Sequence, residues 1–137
     1  MKANSETFSV SPDNAERLSR LRQQLRARLQ NLNELAWKLG DSGPLIRGCY
    51  YKVYKTCTQP NCRCQKGQKH GPFPALSWSV ERKQRMVMVK AADAPLVERK
   101  ASAYREYQKG FTTIRRLMSD VEKLLGQIRS LLLEKYR

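Results

Sequence analysis

Residues 57–72 read CTQPNCRCQKGQKHGP, and the spacing C-x4-C-x-C-x5-H of Cys57, Cys62, Cys64 and His70 governs how the rest of the chain is understood. Thiolate and imidazole are the ligands that a tetrahedral zinc ion favours, and Pro60, Gly67 and Gly71 let the backbone wrap so that four donors converge. A disulfide between Cys62 and Cys64, two residues apart, would be strained. Three cysteines crowded into eight residues of a chain without a secretion signal point to metal rather than to disulfides. The expectation is a structural Cys3His zinc site. The plainer alternative is a set of reduced thiols in a Gly/Pro loop with His70 as an ordinary loop histidine. Cys49 stands apart beside Tyr50 and Tyr51, where a free cysteine usually serves as a small core hydrophobe; it is also the alternative to His70 as fourth ligand.

On either side of this loop the pattern is β-type, with short runs separated by Gly and Pro. Tyr50–Tyr54 forms the first run, Ala75–Val80 the second and Met86–Val89 the third. Glu81, Arg82, Lys83 and Gln84 read as the hairpin turn between the last two, although they lack the Asn-Gly or Asp-Gly signal of a tight turn. A small three-stranded antiparallel sheet is expected.

Further out, both flanks become helical. Ser11 reads as an N-cap, Pro12 as the first helical residue, and Asp13 and Glu16 sit at the positive end of the helix dipole. Leu18, Leu21, Leu25, Leu29, Leu32, Leu35 and Leu39 follow at spacings of three and four until Gly40 stops the pattern. Asp93 begins a second helix with Pro95 in its first turn. Its seam runs through Tyr104, Tyr107, Phe111, Ile114, Met118, Val121, Leu125, Ile128 and Leu132, the alternation of a coiled coil. Gly110 is a place where this helix can bend or break.

The expected fold class is therefore α+β. Long N- and C-terminal helices form an antiparallel hairpin or coiled coil, with the small sheet and the Cys/His zinc loop between them. Residues 1–10 read as a disordered tail, 11–40 as the amphipathic helix, 41–90 as the basic β/zinc-loop segment and 91–137 as the coiled-coil helix, in one domain overall. The C-terminal seam outruns its partner and ends in Leu131, Leu132 and Leu133, which suggests a homodimer.

Charge narrows the partner. The chain carries 27 Lys and Arg against 12 Asp and Glu, a formal net charge of +15 over 137 residues. Ten of those cations and only two acids, Asp41 and Glu81, lie between Gly40 and Lys90. Interleaved with Tyr50, Tyr51, Tyr54, Phe73 and Trp78, they offer phosphate neutralisation beside rings that can stack on bases, which favours nucleic acid, DNA or RNA, over an acidic membrane. The residues expected to contact phosphate are Lys52, Lys55, Arg63, Lys66, Lys69, Arg82, Lys83 and Arg85. Core packing is the competing explanation for the rings, Trp78 above all. Arg20, Arg22, Arg26, Arg28, Arg115 and Arg116 extend the track or simply pair with helix acids.

Other classes find little support. No stretch approaches the roughly 18 apolar residues of a membrane span, and Met1–Val10 lacks an apolar signal run, so a cytoplasmic location is expected. No acid pair, nucleophile elbow or phosphate loop is present, and the single histidine is taken by the cluster. The His-x-Glu of zinc deaminases is absent as well. No enzyme is expected.

Arg47-Gly48, Tyr54, Cys57, Pro60-Asn61-Cys62-Arg63-Cys64, Lys69-His70-Gly71-Pro72 and Leu76-Ser77-Trp78 together resemble an uncharacterised family, a domain of unknown function, of small basic prokaryotic proteins with a CxxxxCxCxxxxxHGP motif. The resemblance covers most of the chain beyond residue 40, the C-terminal helix included. It implies an accessory product of a mobile element, acting beside a transposase or recombinase, and no residue role beyond that. The family usually places tyrosines where this chain has Phe73, Pro74 and Ala75. The alternative to nucleic-acid binding is a coiled-coil adaptor that docks on such a partner protein, with the zinc purely structural.

Overall fold

In the computed structural model, residues 10–136 are described; the expected tail lies outside them except for Val10. The first helix, α1, spans Pro12–Gly40. It begins as its sequence dictates: the Ser11 hydroxyl accepts the Asn14 backbone N–H at 3.3 Å, and Pro12 occupies a position whose N–H has no intrahelical partner.

Three strands follow, β1 (Cys49–Lys55), β2 (His70–Val80) and β3 (Lys83–Met88), forming an antiparallel sheet in the order β1-β2-β3. The second helix, α2, spans Ala94–Leu132 without interruption, so Gly110 does not break it. Its start is set by Asp93, whose carbonyl accepts the Val97 N–H at 2.9 Å.

One expected element is corrected. The turn between β2 and β3 is two residues, not four: Val80 pairs with Lys83, and Glu81 and Arg82 both take left-handed backbone angles, φ 51° and 65°. A two-residue hairpin of this type I′ kind needs positive φ at both central positions, and its twist matches that of the strands. Here the strand pairing imposes that geometry on residues that do not favour it.

The chain divides into two compact units. One holds the described residues up to Asp41 together with those from Phe111 onward; the other is Ser42–Gly110. In the helical unit the buried apolar residues are Leu18, Leu117, Leu124 and Ile128. Here, too, the structure shifts an expectation. Ile114, Val121 and Ile128 of the expected seam are covered, but Phe111, Met118, Leu125 and Leu132 are exposed. Leu117, Leu124 and Leu131, each one residue earlier, are turned inward instead. The helix carries apolar side chains at both members of each pair, and a narrow seam can cover only one of them.

In the sheet unit only Cys64, Ala75, Leu76 and Ala101 are buried apolar residues. Backbone bonds hold its edges: Ile46 N–H donates to the Lys100 carbonyl at 3.2 Å, and Val89 N–H to that of Pro74 at 2.9 Å. The Arg47 guanidinium donates to the Ser79 carbonyl at 2.9 Å, so this cation is engaged with β2.

Candidate metal centre and basic sheet face

The connection from β1 to β2 contains the cysteine loop. Cys57 lies just beyond β1 and His70 opens β2, so strand pairing between Lys55 and His70 brings the two ends of the loop together. Between them the chain folds back through a short 3-10 turn, Arg63–Lys66, capped by Gly67 in the left-handed region at φ 99°. Cys62 N–H donates to the Gln59 carbonyl at 3.3 Å and Gln65 N–H to that of Cys62 at 3.1 Å, so the turn is self-supporting. Gly71 is required by space as well as by angle. Its φ is 135°, and a Cβ there would stand 2.8 Å from the Val53 carbonyl oxygen.

The result is a cluster in which one donor atom each from Cys57, Cys62, Cys64 and His70 lies within 4.8 Å of the others. The Cys57 and Cys64 sulfurs are 3.4 Å apart, and Cys62 Sγ is 3.1 Å from His70 Nε2. A tetrahedral ion with Zn–S bonds of about 2.3 Å would hold its sulfurs roughly 3.8 Å apart, so these four donors fit such an ion with small adjustments. The Cys57 backbone N–H points to Cys64 Sγ at 3.4 Å, a contact that stabilises a thiolate, and Gln65 Nε2 fastens the Cys57 carbonyl at 3.0 Å. Gln65 carries no signature in the sequence; only the loop's return path gives it this task.

The thiols are not equivalent. The Cys64 backbone N–H is the largest influence on Cys62 and, with hydrogen bonds from Cys57, Cys64 and His70, holds it at about 6 despite partial desolvation. At Cys57 the largest influence, a backbone hydrogen bond from Gln59, acts downward. The thiol contacts with Cys64 and Cys62, desolvation and the Cys62 charge outweigh it, leaving Cys57 raised. One thiolate is thus available at neutral pH to receive a cation, and binding would ionise the others.

Cys49 lies outside the cluster. It is exposed, contrary to the core position expected of it, and its sulfur accepts from Arg105 Nη2 at 3.3 Å. The fourth donor of the cluster is His70.

The eight expected phosphate contacts are all exposed, and the structure sorts them into two groups. Lys55, Arg63, Lys66 and Lys69 belong to the loop and its ends. Lys52, Lys83 and Arg85 belong to one face of the sheet, because directly opposed residues of antiparallel strands share a face. Lys52 opposes Pro74, Arg85 opposes Trp78, Lys83 opposes Val80, and Tyr50 opposes Leu76. That face therefore carries three cations beside Tyr50 and a half-buried Trp78. Arg82 stands at the hairpin tip. None of the eight enters an ion pair among the described residues. Three of the six helix arginines of the expected track behave differently: Arg20 pairs with Glu16 at 3.6 Å, Arg28 with Asp120 at 3.5 Å, and Arg115 lies over the Phe111 ring at 4.8 Å.

No helix of the described residues is long and apolar enough to cross a membrane. Comparison with known proteins finds no curated protein and no solved structure that matches. A family model does match, over residues 15–99, which takes in α1 from Ala15 onward, the whole sheet and the cysteine loop and stops in the first turns of α2. Those residues are more than half of the chain, and the chain belongs to the family of that model, the domain of unknown function DUF6788.

Proposed function

We propose that this protein is a non-enzymatic nucleic-acid-binding accessory protein, with DNA the favoured ligand, whose zinc-stabilised basic loop and adjacent sheet face contact phosphates. The observation that carries the reading is the strand register that sets Lys52, Lys83 and Arg85 on one face with Tyr50 and Trp78. The sheet fixes the backbone positions of these cations, and each phosphate that they neutralise releases counterions. The rings supply sequence-tolerant stacking.

Zinc suits the donor set, since three thiolates and an imidazole are soft and borderline ligands that select it over magnesium or calcium. Bound there, it would make the loop rigid and hold Lys55, Arg63, Lys66 and Lys69 outward. With a neutral His70 the loaded centre would carry one net negative charge, which those four cations offset. The helices α1 and α2 would pair as an antiparallel hairpin. Service to a mobile element rests on the sequence resemblance alone.

The test is binding of labelled duplex DNA and single-stranded RNA across a salt series. Affinity should fall at least about tenfold between 50 and 200 mM salt, and a constant indifferent to salt overturns the reading. Charge reversal at Lys66 and Lys69, or at Lys83 and Arg85, should weaken binding with the fold intact. Binding that survives both pairs of reversals would leave the protein a partner-docking adaptor with a structural metal.

A further inference from the structure

The helical unit leaves an apolar stripe uncovered. Met118 is 57% exposed, Leu125 50% and Leu132 47%, spaced seven residues apart on α2, with Phe111 one step before them. A seven-residue repeat on one helix is a seam that a second helix can follow. Beside it runs an open groove of about 820 Å³ lined by Leu32, Met118, Glu122, Leu125, Gly126 and Arg129 among others.

Gly126 is the unexplained member. A glycine in a helix interior weakens it relative to alanine, yet among the described residues nothing beyond its own stretch of helix lies within 4 Å of where a Cβ would be. No neighbour among the described residues demands its small size. A helix from outside, approaching closely, would.

We infer that this face binds a second copy of the same chain, α2 against α2 in antiparallel sense, about a two-fold axis between Leu125 and Gly126. Such an axis pairs residues whose numbers sum to a constant, so one register can be checked at every position. Leu125 of each copy then enters the gap over Gly126 of the other. Leu132 meets the small Ser119, and Glu122 meets Arg129, twice by symmetry. Glu122 and Arg129 are exposed and enter no ion pair among the described residues. Large therefore meets small, and acid meets base, in the same register. Residues 111–136 carry five Lys or Arg against three acids, so this segment opposes self-association far less than the strongly basic sheet segment does. The inference does not depend on metal or nucleic-acid binding.

The experiment is sedimentation equilibrium of the full, zinc-supplemented chain, wild type beside Glu122→Arg and Arg129→Glu, with helix content followed by circular dichroism. Wild type should dimerise below about 100 µM, and each single variant should dimerise at least about tenfold more weakly with helix content unchanged. Mixing the two variants should restore association, because each then offers the charge that the other lacks. A wild type that stays monomeric at that concentration, singles that dimerise like wild type, or a mixture no tighter than the singles overturns the proposal.

Discussion

The helical unit and the sheet unit are stabilised by different means. The first buries three leucines and an isoleucine, side chains each contributing about 1.5–3 kcal/mol when taken fully from water. The second buries two alanines, one leucine and one metal-cluster cysteine, and every residue of β3 is exposed. A core so thin does not hold a sheet by burial alone; small folds of this kind depend on a staple. The difference teaches that the sheet unit has little apolar core of its own and, on the proposed zinc reading, leans on the cysteine cluster instead, so that the two units should fail under different insults.

On the proposed reading, stripping the zinc from the cluster should have the largest effect. Structural zinc sites contribute on the order of 10 kcal/mol of folding free energy, so a strong chelator should abolish the amide dispersion of β1–β3 in an NMR spectrum. The far-UV helical signal should largely survive. Equal loss of both signals would mean that the units are not separable in this way.

Leu124→Ala reverses the selectivity. Truncating a buried leucine costs about 2–4 kcal/mol, which should lower the thermal midpoint of the helical signal while metal stoichiometry stays the same. An unchanged midpoint would place the helical core elsewhere than in the Leu117–Leu124–Ile128 stripe.

The thiols themselves sharpen the contrast inside the sheet unit. In freshly metal-stripped protein, pulse-labelled before the sheet unit unfolds, Cys62 is mostly thiolate at neutral pH, because its folded-state value of about 6 lies below neutrality. Its alkylation by iodoacetamide should rise through pH 6 and level off, whereas Cys57, raised above an ordinary thiol, should still be accelerating at pH 9. Peptide mapping of the labelled sites would show whether the two profiles separate.

The smallest effect concerns the hairpin. Arg82 holds a left-handed backbone angle that glycine adopts freely, so Arg82→Gly should stabilise the sheet unit by about 1 kcal/mol, read as a small rise in its chemical-denaturation midpoint. Destabilisation instead would show that the Arg82 side chain contributes more to the fold than its backbone costs.

Much of this was legible from residues 11–93 alone. Ser11, Pro12 and Gly40 mark α1 because capping chemistry is local: an orphan N–H needs an acceptor, and proline lacks the N–H that would be orphaned. The four residues of the cluster were legible because few other tasks place three thiols and an imidazole within fourteen residues. Strand identity came from β-branched and aromatic runs. The hairpin turn was misread because its residues favour no turn type; pairing of Val80 with Lys83, a non-local event, dictated its geometry.

By itself, then, the sequence determined the elements and the donor set, since both follow from chemistry within a few residues along the chain. Tertiary structure decided three other matters. Leu117 and Leu124 were turned inward and Met118 and Leu125 outward, a choice between two apolar stripes that no local preference separates. Cys49 was set beside Arg105 and away from the Cys/His cluster. Lys52, Lys83 and Arg85 were gathered on one face, because strand register joins residues more than thirty positions apart and periodicity reaches only as far as the next turn.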